Sequence, residues 1–498
     1  MEMNRETTTI SCLDTVLQEV RSMELTQQLK LPDGMGDVGR ILAAWGQVIL
    51  RSKEWRDEEV SISGGMMVWI LYAPEDGGEA ACIDTWLPFQ MEWDLPDDVP
   101  EGKLRIRCLT RFVDGRSVSP RKIMVRCGVS VMAEAFVPVE REAALPAVSS
   151  EAVELLRNTY PLRIPKEAGE KVFLLDEDLT VPDSVPQPEK LIYSRMEPRI
   201  TDCRVLADKL AFRGNGNLHL LYRSEEGQLH SWDFPLHFSQ IAELDREYGS
   251  EAQADMAPTV TSLEAELDDE GHIRVKCGIA GQYHITDRQL VTVVEDAYSP
   301  DWELSMETGT LQLPVVLENR RENLTAEQVV PMDANLTVDV TFLPDFPKQR
   351  HSDQRLELEY SGTFQALSYG QEGVLQGANA KWETRQQMNA DGHSEVAAIP
   401  LPGEPQTMEN GGQLDLKAEL PVELTTTARQ QIPMVTNVEL GQRKKPDPDR
   451  PTLILRRAGD KRLWDIAKAS GSRMEDIRQA NGLQGEPAPD QMLLIPVH

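Results

Sequence analysis

The chain is predicted to be a mainly β protein: three tandem antiparallel, β-rich, sandwich-like domains followed by a small α+β module of βααβ order. Three observations carry that prediction. A strand from Gly64 to Tyr72, ending in an acidic turn at Glu75-Asp76-Gly77, returns as Gly214 to Tyr222 before Glu225-Glu226-Gly227. It returns more loosely as Gly362 to Tyr369 before Gln371-Glu372-Gly373. A second strand, Ile123 to Val129 around Cys127-Gly128, returns as Ile273 to Ile279 around Cys277-Gly278, each cysteine 55 residues after its tyrosine. Landmarks that recur in one order are the signature of internal repeats. Finally, short alternating runs such as Leu104-Ile106-Cys108 and Leu356-Leu358-Tyr360 are separated by Pro, Asp and Gly turns. Period-two apolar residues with turn punctuation specify antiparallel strands with one face dry.

The elements follow in chain order. Residues 1–22 are expected to hold a helical segment, because Leu13, Val16, Leu17 and Val20 share one stripe at helical spacing. A Leu-Pro landmark at Leu29 to Pro32 recurs at Leu162 to Pro165 and Leu311 to Pro314, so the first domain is placed at 23–150. The second then occupies 151–301 and a more divergent third 302–440. Val181 to Pro188, with three prolines, is expected to be an exposed loop. Leu263, Ala265 and Leu267 alternate with acids and are expected to form a strand and turn. Gly214-Asn215-Gly216 is expected to be a bulge. Trp86 to Phe89 and Phe234 to Phe238 place aromatics at matched positions, as core packing requires. Residues 441–451, with three prolines, are expected to be a stiff linker.

Composition narrows function. The 498 residues allow about three domains. With 82 acidic against 51 basic side chains the net charge is −31, a field that repels phosphate backbones and anionic lipid. Nucleic acid is therefore not an expected partner of the body. Six cysteines without a CxxC point to a reducing compartment. The start, Met1-Glu2-Met3-Asn4-Arg5-Glu6-Thr7, lacks the basic and apolar regions of a secretion signal, and no apolar run reaches the roughly 20 residues of a membrane span. The expected location is cytoplasmic.

Catalytic patterns are missing from the sequence. The eight histidines show no HExxH spacing, and there is no GxSxG, Walker loop or dinucleotide fingerprint. His219 and His237 fall in expected strands, where a hydrogen-bonded structural role is the simpler reading. No enzyme activity, metal or cofactor is expected.

The Leu-Pro landmarks, the Gly-to-Tyr strands ending at Tyr72 and Tyr222, and the exit Glu295-Asp296-Ala297-Tyr298-Ser299-Pro300 resemble the SPOCS domain of spore-envelope proteins. The last segment, 452–498, is similar to a LysM module: Leu453-Ile454-Leu455, Ala458-Gly459-Asp460, Leu463-Trp464-Asp465-Ile466-Ala467, Asn481-Gly482-Leu483 and Leu493-Leu494-Ile495-Pro496 fall in its strand, helix, helix, strand order. That likeness implies a shallow binding groove between two loops. Here they are Gly459, Asp460, Lys461 and Arg462, and Asn481, Gly482, Leu483 and Gln484. The family usually has Thr after Gly-Asp, whereas this chain has Lys461-Arg462, and Asp490 replaces the usual Gly before the last strand. The groove is thus open to either an N-acetylglucosamine-containing glycan or a protein ligand. Together the two resemblances imply a non-enzymatic spore-coat assembly protein. It would work on the mother-cell side of the forespore surface, docking through its LysM module on a coat-basement-layer morphogenetic protein or other coat protein. A peptidoglycan-binding protein is the alternative.

Overall fold

The computed structural model describes residues 5–146, 153–352, 355–389, 394–401, 403–445 and 451–497. The first unit runs β1 (Arg5–Lys30), β2 (Val38–Arg56), β3 (Glu59–Pro74), β4 (Ala81–Asp94), β5 (Lys103–Ser119) and β6 (Lys122–Pro146). Strands β1, β6 and β5 pair antiparallel in one sheet, and β2, β3 and β4 in another. Their facing apolar sides close one core, with Val60, Ile62, Val68 and Ile70 from one sheet against Ile106, Val125, Cys127 and Val129 from the other. Period-two burial in both sheets produces this sandwich.

The second unit follows as β7 (Glu154–Thr180), β8 (Pro188–Ser224), β9 (Leu229–Tyr248), β10 (Gln253–Leu267) and β11 (His272–Tyr298). Here β10, β11 and β7 pair in one sheet and β8 pairs with β9 in another. The third is β12 (Trp302–Pro331), β13 (Leu336–Pro344), β14 (Lys348–Ser352), β15 (Arg355–Tyr369), β16 (Leu375–Asn389), β17 (Ser394–Pro400), β18 (Pro405–Asn410) and β19 (Gln413–Arg443). In all three the long first strand pairs antiparallel with the long last strand: β1 with β6, β7 with β11, β12 with β19.

Contacts recur with the landmarks. The Tyr72 hydroxyl donates to the Gly36 carbonyl (3.1 Å), and Tyr222 to the Pro186 carbonyl (2.9 Å), each 36 residues upstream. A Cβ on Gly64 would collide with the Ile49 carbonyl and the Phe89 ring. One on Gly214 would meet the Arg199 carbonyl and the Phe238 ring in the same way. Another pair is exchanged between units. Gly46 faces Met66, whereas Met196 faces Gly216, and a Cβ on either glycine would lie 2.7 Å from the methionine sulfur. One methionine fills the same gap from opposite strands.

Several expectations need correction. Residues 10–23 are not a helix; they belong to β1, paired residue by residue with β6 from Arg5↔Pro146 to Lys30↔Lys122. The register shifts between Thr15 and Leu17, and that extra residue breaks the alternation and leaves Leu13, Val16, Leu17 and Val20 at helix-like spacing. The first unit therefore begins near Arg5, not at residue 23. The Leu-Pro landmark was misregistered as well. Leu29 and Leu31, both buried at the end of β1, correspond in place to Leu179 and Val181 at the end of β7, not to Leu162 to Pro165. No bulge lies at Gly214-Asn215-Gly216, since the ladder to β9 continues there and shifts instead between Ala207 and Lys209. Tyr369 ends β15 before the left-handed Gly373, as Tyr72 precedes Gly77, but it does not repeat the Tyr72 hydroxyl contact. Its hydroxyl accepts the Leu229 N–H of the second unit (3.0 Å). The loop before β8 turns as expected, although Val181 in it is fully buried.

The units are packed together. Ile10 and Cys12 (β1), Ile164 (β7), Val293 (β11), Leu313 (β12) and Ile432 (β19) share one cluster. Arg105 and Arg107 alternate with Leu104 and Ile106 like the wet face of a strand, yet both are under a tenth exposed. Arg105 grips Glu134 with two bonds of 2.7 Å, Arg107 reaches the same carboxylate at 2.6 Å, and both bond Asp255 of the second unit.

Candidate functional site

The last unit is β20 (Leu453–Arg457), α1 (Leu463–Ser470), α2 (Met474–Asn481) and β21 (Met492–Pro496), with β20 and β21 antiparallel. Leu463, Ile466 and Ala467 of α1 and Ile477 of α2 bury against Leu493 and Ile495 of β21. Both helices stop at a left-handed glycine, Gly471 (φ 61°) and Gly482 (φ 62°), the conformation that glycine adopts without Cβ strain. Of the expected linker, residues 441–443 continue β19, and 446–450 lie outside the described residues.

Just beyond the two expected loops, Glu486 accepts the Leu463 N–H at the start of α1 (2.6 Å). A carboxylate at a helix N-terminus satisfies an orphan donor and the helix dipole together. Sequence reasoning missed Glu486, as no spacing rule marks a cap supplied from 23 residues downstream.

The eight expected residues divide by role. Gly459 has φ 62° and donates its N–H to the Pro489 carbonyl (2.9 Å), closing the loop rather than offering a ligand donor. Asn481 is a clamp: its amide nitrogen donates to the Ile477 carbonyl (2.8 Å) and the Leu494 carbonyl (2.6 Å), and its oxygen accepts the Leu494 N–H (2.7 Å). Both amide hydrogens and the carbonyl are thus engaged within the module. Gly482 ends α2, and Leu483 packs on the core. Asp460, Lys461, Arg462 and Gln484 remain exposed, Arg462 reaching Asp465 at 3.3 Å. Asp490 pairs with Arg457.

The module is also attached to the second unit. Trp464 is buried, its ring edge-on to Tyr298 with centroids 4.8 Å apart, and its indole N–H donates to Asp296 (2.9 Å). Lys468 meets both Asp296 oxygens at 2.8 Å, and the Tyr298 hydroxyl donates to the Ser472 carbonyl (2.8 Å). Partial burial raises the Asp296 pKa, but the bonds from Lys468 and Trp464 outweigh it and hold the carboxyl below its ordinary range. The exit segment Glu295 to Pro300 is therefore the seat of the C-terminal module.

Residues 187–268, spanning β8 to β10, match the family described as SipL, SPOCS domain. The chain carries a SPOCS domain. The matched stretch is about a sixth of the sequence, and comparisons with curated proteins and with solved structures returned no match.

The SPOCS domain contributes a second polar centre, at the meeting of the three units. His219 Nδ1 lies 2.9 Å from Asp233, and Nε2 lies 3.1 Å from Asp339 of the third unit, an ion contact off the line of a hydrogen bond. Trp45 of the first unit donates to the other Asp339 oxygen (2.7 Å) and stacks on Tyr193 at 5.1 Å. Burial disfavours the imidazolium, but the Asp339 charge prevails and lifts the His219 pKa to about 9. His237, also in the SPOCS domain, faces Asn215 at 2.7 Å. Among the described residues no helix is long and apolar enough to cross a membrane.

Proposed function

We propose that this is a non-enzymatic assembly protein of the spore coat. Its β-rich units, read as tandem SPOCS-like domains, present contact surfaces, and its LysM-like module docks on a coat-basement-layer protein at the forespore surface, on the mother-cell side. The observation that carries the reading is the SPOCS match joined to the module's own loops. The amide of Asn481 is engaged within the module by Ile477 and Leu494, and the exposed side chains of the two loops include the cationic pair Lys461-Arg462. Those features favour a charged protein ligand over a neutral glycan. The pairing also resembles SipL, the clostridial coat-morphogenetic protein whose LysM part binds the basement-layer ATPase.

The test is localisation of a fluorescent fusion in sporulating cells, with and without residues 452–498, alongside retention on chitooligosaccharide beads. Loss of the forespore signal on truncation, with no retention on the beads, is the expected result. A truncated chain that still encircles the forespore would refute docking through the module. Bead retention at moderate salt would return the function to glycan binding.

A further inference from the structure

The two strands of the C-terminal module are apolar on both faces, and only one face is used. Inward, Leu493 and Ile495 are fully buried with the helices. Outward, Leu453, Leu455, Met492 and Leu494 are 51%, 64%, 52% and 37% exposed. They form one surface, because Leu455 pairs across the ladder with Leu494, Arg457 with Met492, and Leu453 with Pro496. Val172 and Leu174 of β7 form a smaller exposed apolar pair; here four large side chains adjoin on two five-residue strands. A contiguous exposed apolar patch marks an interaction site more often than chance.

Charge decides what fits it. Arg457 stands on the same face as Leu453 and Leu455, and beyond it the chain turns at Gly459 into the exposed Lys461 and Arg462. From Arg443 onward the sequence carries eleven basic and eight acidic residues, whereas the rest of the chain carries a net charge of −34. Lys468 is committed to Asp296 and Arg473 lies by Asp301; beside the patch Arg457 and Arg462 hold only solvent-exposed pairs with Asp490 and Asp465, which contribute little and which a partner's carboxylates can replace, and Lys461 is exposed. Two copies meeting patch to patch would bring both sets of Arg457, Lys461 and Arg462 to one contact, which adds like charge there without adding a complementary acidic surface.

We infer that the outer face of β20 and β21 is the docking surface of the module, and that its occupant is a protein segment presenting apolar side chains flanked by carboxylates. This rests on the docking reading above and moves the contact from the sugar-type groove to the sheet. The apolar side chains supply the buried centre of the contact, and Arg457, Lys461 and Arg462 supply a salt-sensitive rim.

The test uses the full chain and the purified coat-basement-layer ATPase of the same cell as probe, with affinity measured at low and high salt. Leu455→Asp/Met492→Asp should weaken binding at least tenfold, and the uncharged trim Leu455→Ala/Met492→Ala several-fold. Lys461→Thr/Arg462→Thr should flatten the salt dependence. Since the substituted side chains are exposed, the module's thermal transition should be unchanged in each. If the Asp pair binds like the parent while deletion of 452–498 abolishes binding, the sheet is not the surface, though the docking reading survives. If the deletion binds like the parent, docking through the module fails, and this inference with it. Concentration-dependent dimers that the Asp pair abolishes would assign the patch to a second copy. Chitooligosaccharide retention lost in the Asp pair would assign it to glycan. Either result overturns the protein segment.

Discussion

Replacing Trp464 by alanine should unfold the C-terminal module and release it from the body. The indole is 2% exposed, packed edge-on to Tyr298 and bonded to Asp296 at 2.9 Å. Truncating a buried tryptophan costs about 3–5 kcal/mol through lost transfer energy and the cavity left behind. A hydrogen bond to a charged group adds about 1.5–3 kcal/mol. A module of this size draws only about 3–5 kcal/mol from its own core, so the loss equals or exceeds what holds it folded. Hydrogen exchange with fragment resolution is the assay: protection should collapse across α1, α2 and β21 and persist in β3, β6 and β11. Trp464→Phe keeps the apolar contact with Tyr298 but not the N–H, and should lose about 1.5–3 kcal/mol while leaving the module folded. Native-level protection of α1 and α2 in the alanine variant would refute the reasoning, because those helices would then stand without the indole.

Four further outcomes follow from the packing. Glu134→Gln should destabilise the junction of the first two units by up to about 3–5 kcal/mol, because Arg105 and Arg107, both buried, would keep only Asp255 of the two carboxylates they share; urea unfolding checks it. The His219 pKa is raised from an ordinary 6.5 to about 9, so its stabilisation is fully present below pH 6.5 and is lost as pH rises through about 9. That contribution is on the order of 3 kcal/mol, and the alkaline decline of the melting temperature should be absent in His219→Gln. Asp296 is shifted down; its contribution is present above the ordinary carboxylate pKa and should fade as pH falls through the lowered value, loosening the module in acid, as hydrogen exchange against pH would report. Gly46→Met and Met66→Gly should each destabilise the first unit by about 2–5 kcal/mol, by overpacking or by a cavity. The double exchange reproduces the Met196–Gly216 arrangement and should recover at least 1 kcal/mol in a double-mutant cycle.

Much of the architecture was legible from local pattern. Alternation in Ile123-Val125-Cys127-Val129 and in Leu356-Leu358-Tyr360 identified strands whose inward residues are all buried, and Leu263-Ala265-Leu267 fell in β10 as expected. The matched Tyr72 and Tyr222 recur with the same carbonyl contact. What misled was one register error. The helix-like spacing of Leu13 to Val20 hid β1, because a single extra residue in a strand shifts every later side chain to the other face. A chance Leu-x-Ile-Pro in mid-strand at Leu162 to Pro165 then displaced the first boundary. In the candidate site, the loops were found but not their roles, since the use of Asn481 depends on a strand thirteen residues away. The outer patch has a trace in the sequence: Leu453-Ile454-Leu455 and Met492-Leu493-Leu494-Ile495 are apolar at every position, so both faces of that small sheet must be apolar.

The amino-acid order alone determined most of the strands outside residues 10–23, the side of each that packs on its own unit's core, and the strand, helix, helix, strand order of residues 452–498, because these depend on neighbours two to four residues apart. Only the tertiary structure decided that Arg105 and Arg107 are buried, that His219 sits between Asp233 and Asp339, and that Trp464 anchors the last module on Asp296 and Tyr298. Each of those depends on a partner far along the chain. A polar residue on an alternating strand looks solvent-facing until another unit covers it, and the cost of its burial is met by charges that local periodicity does not reveal.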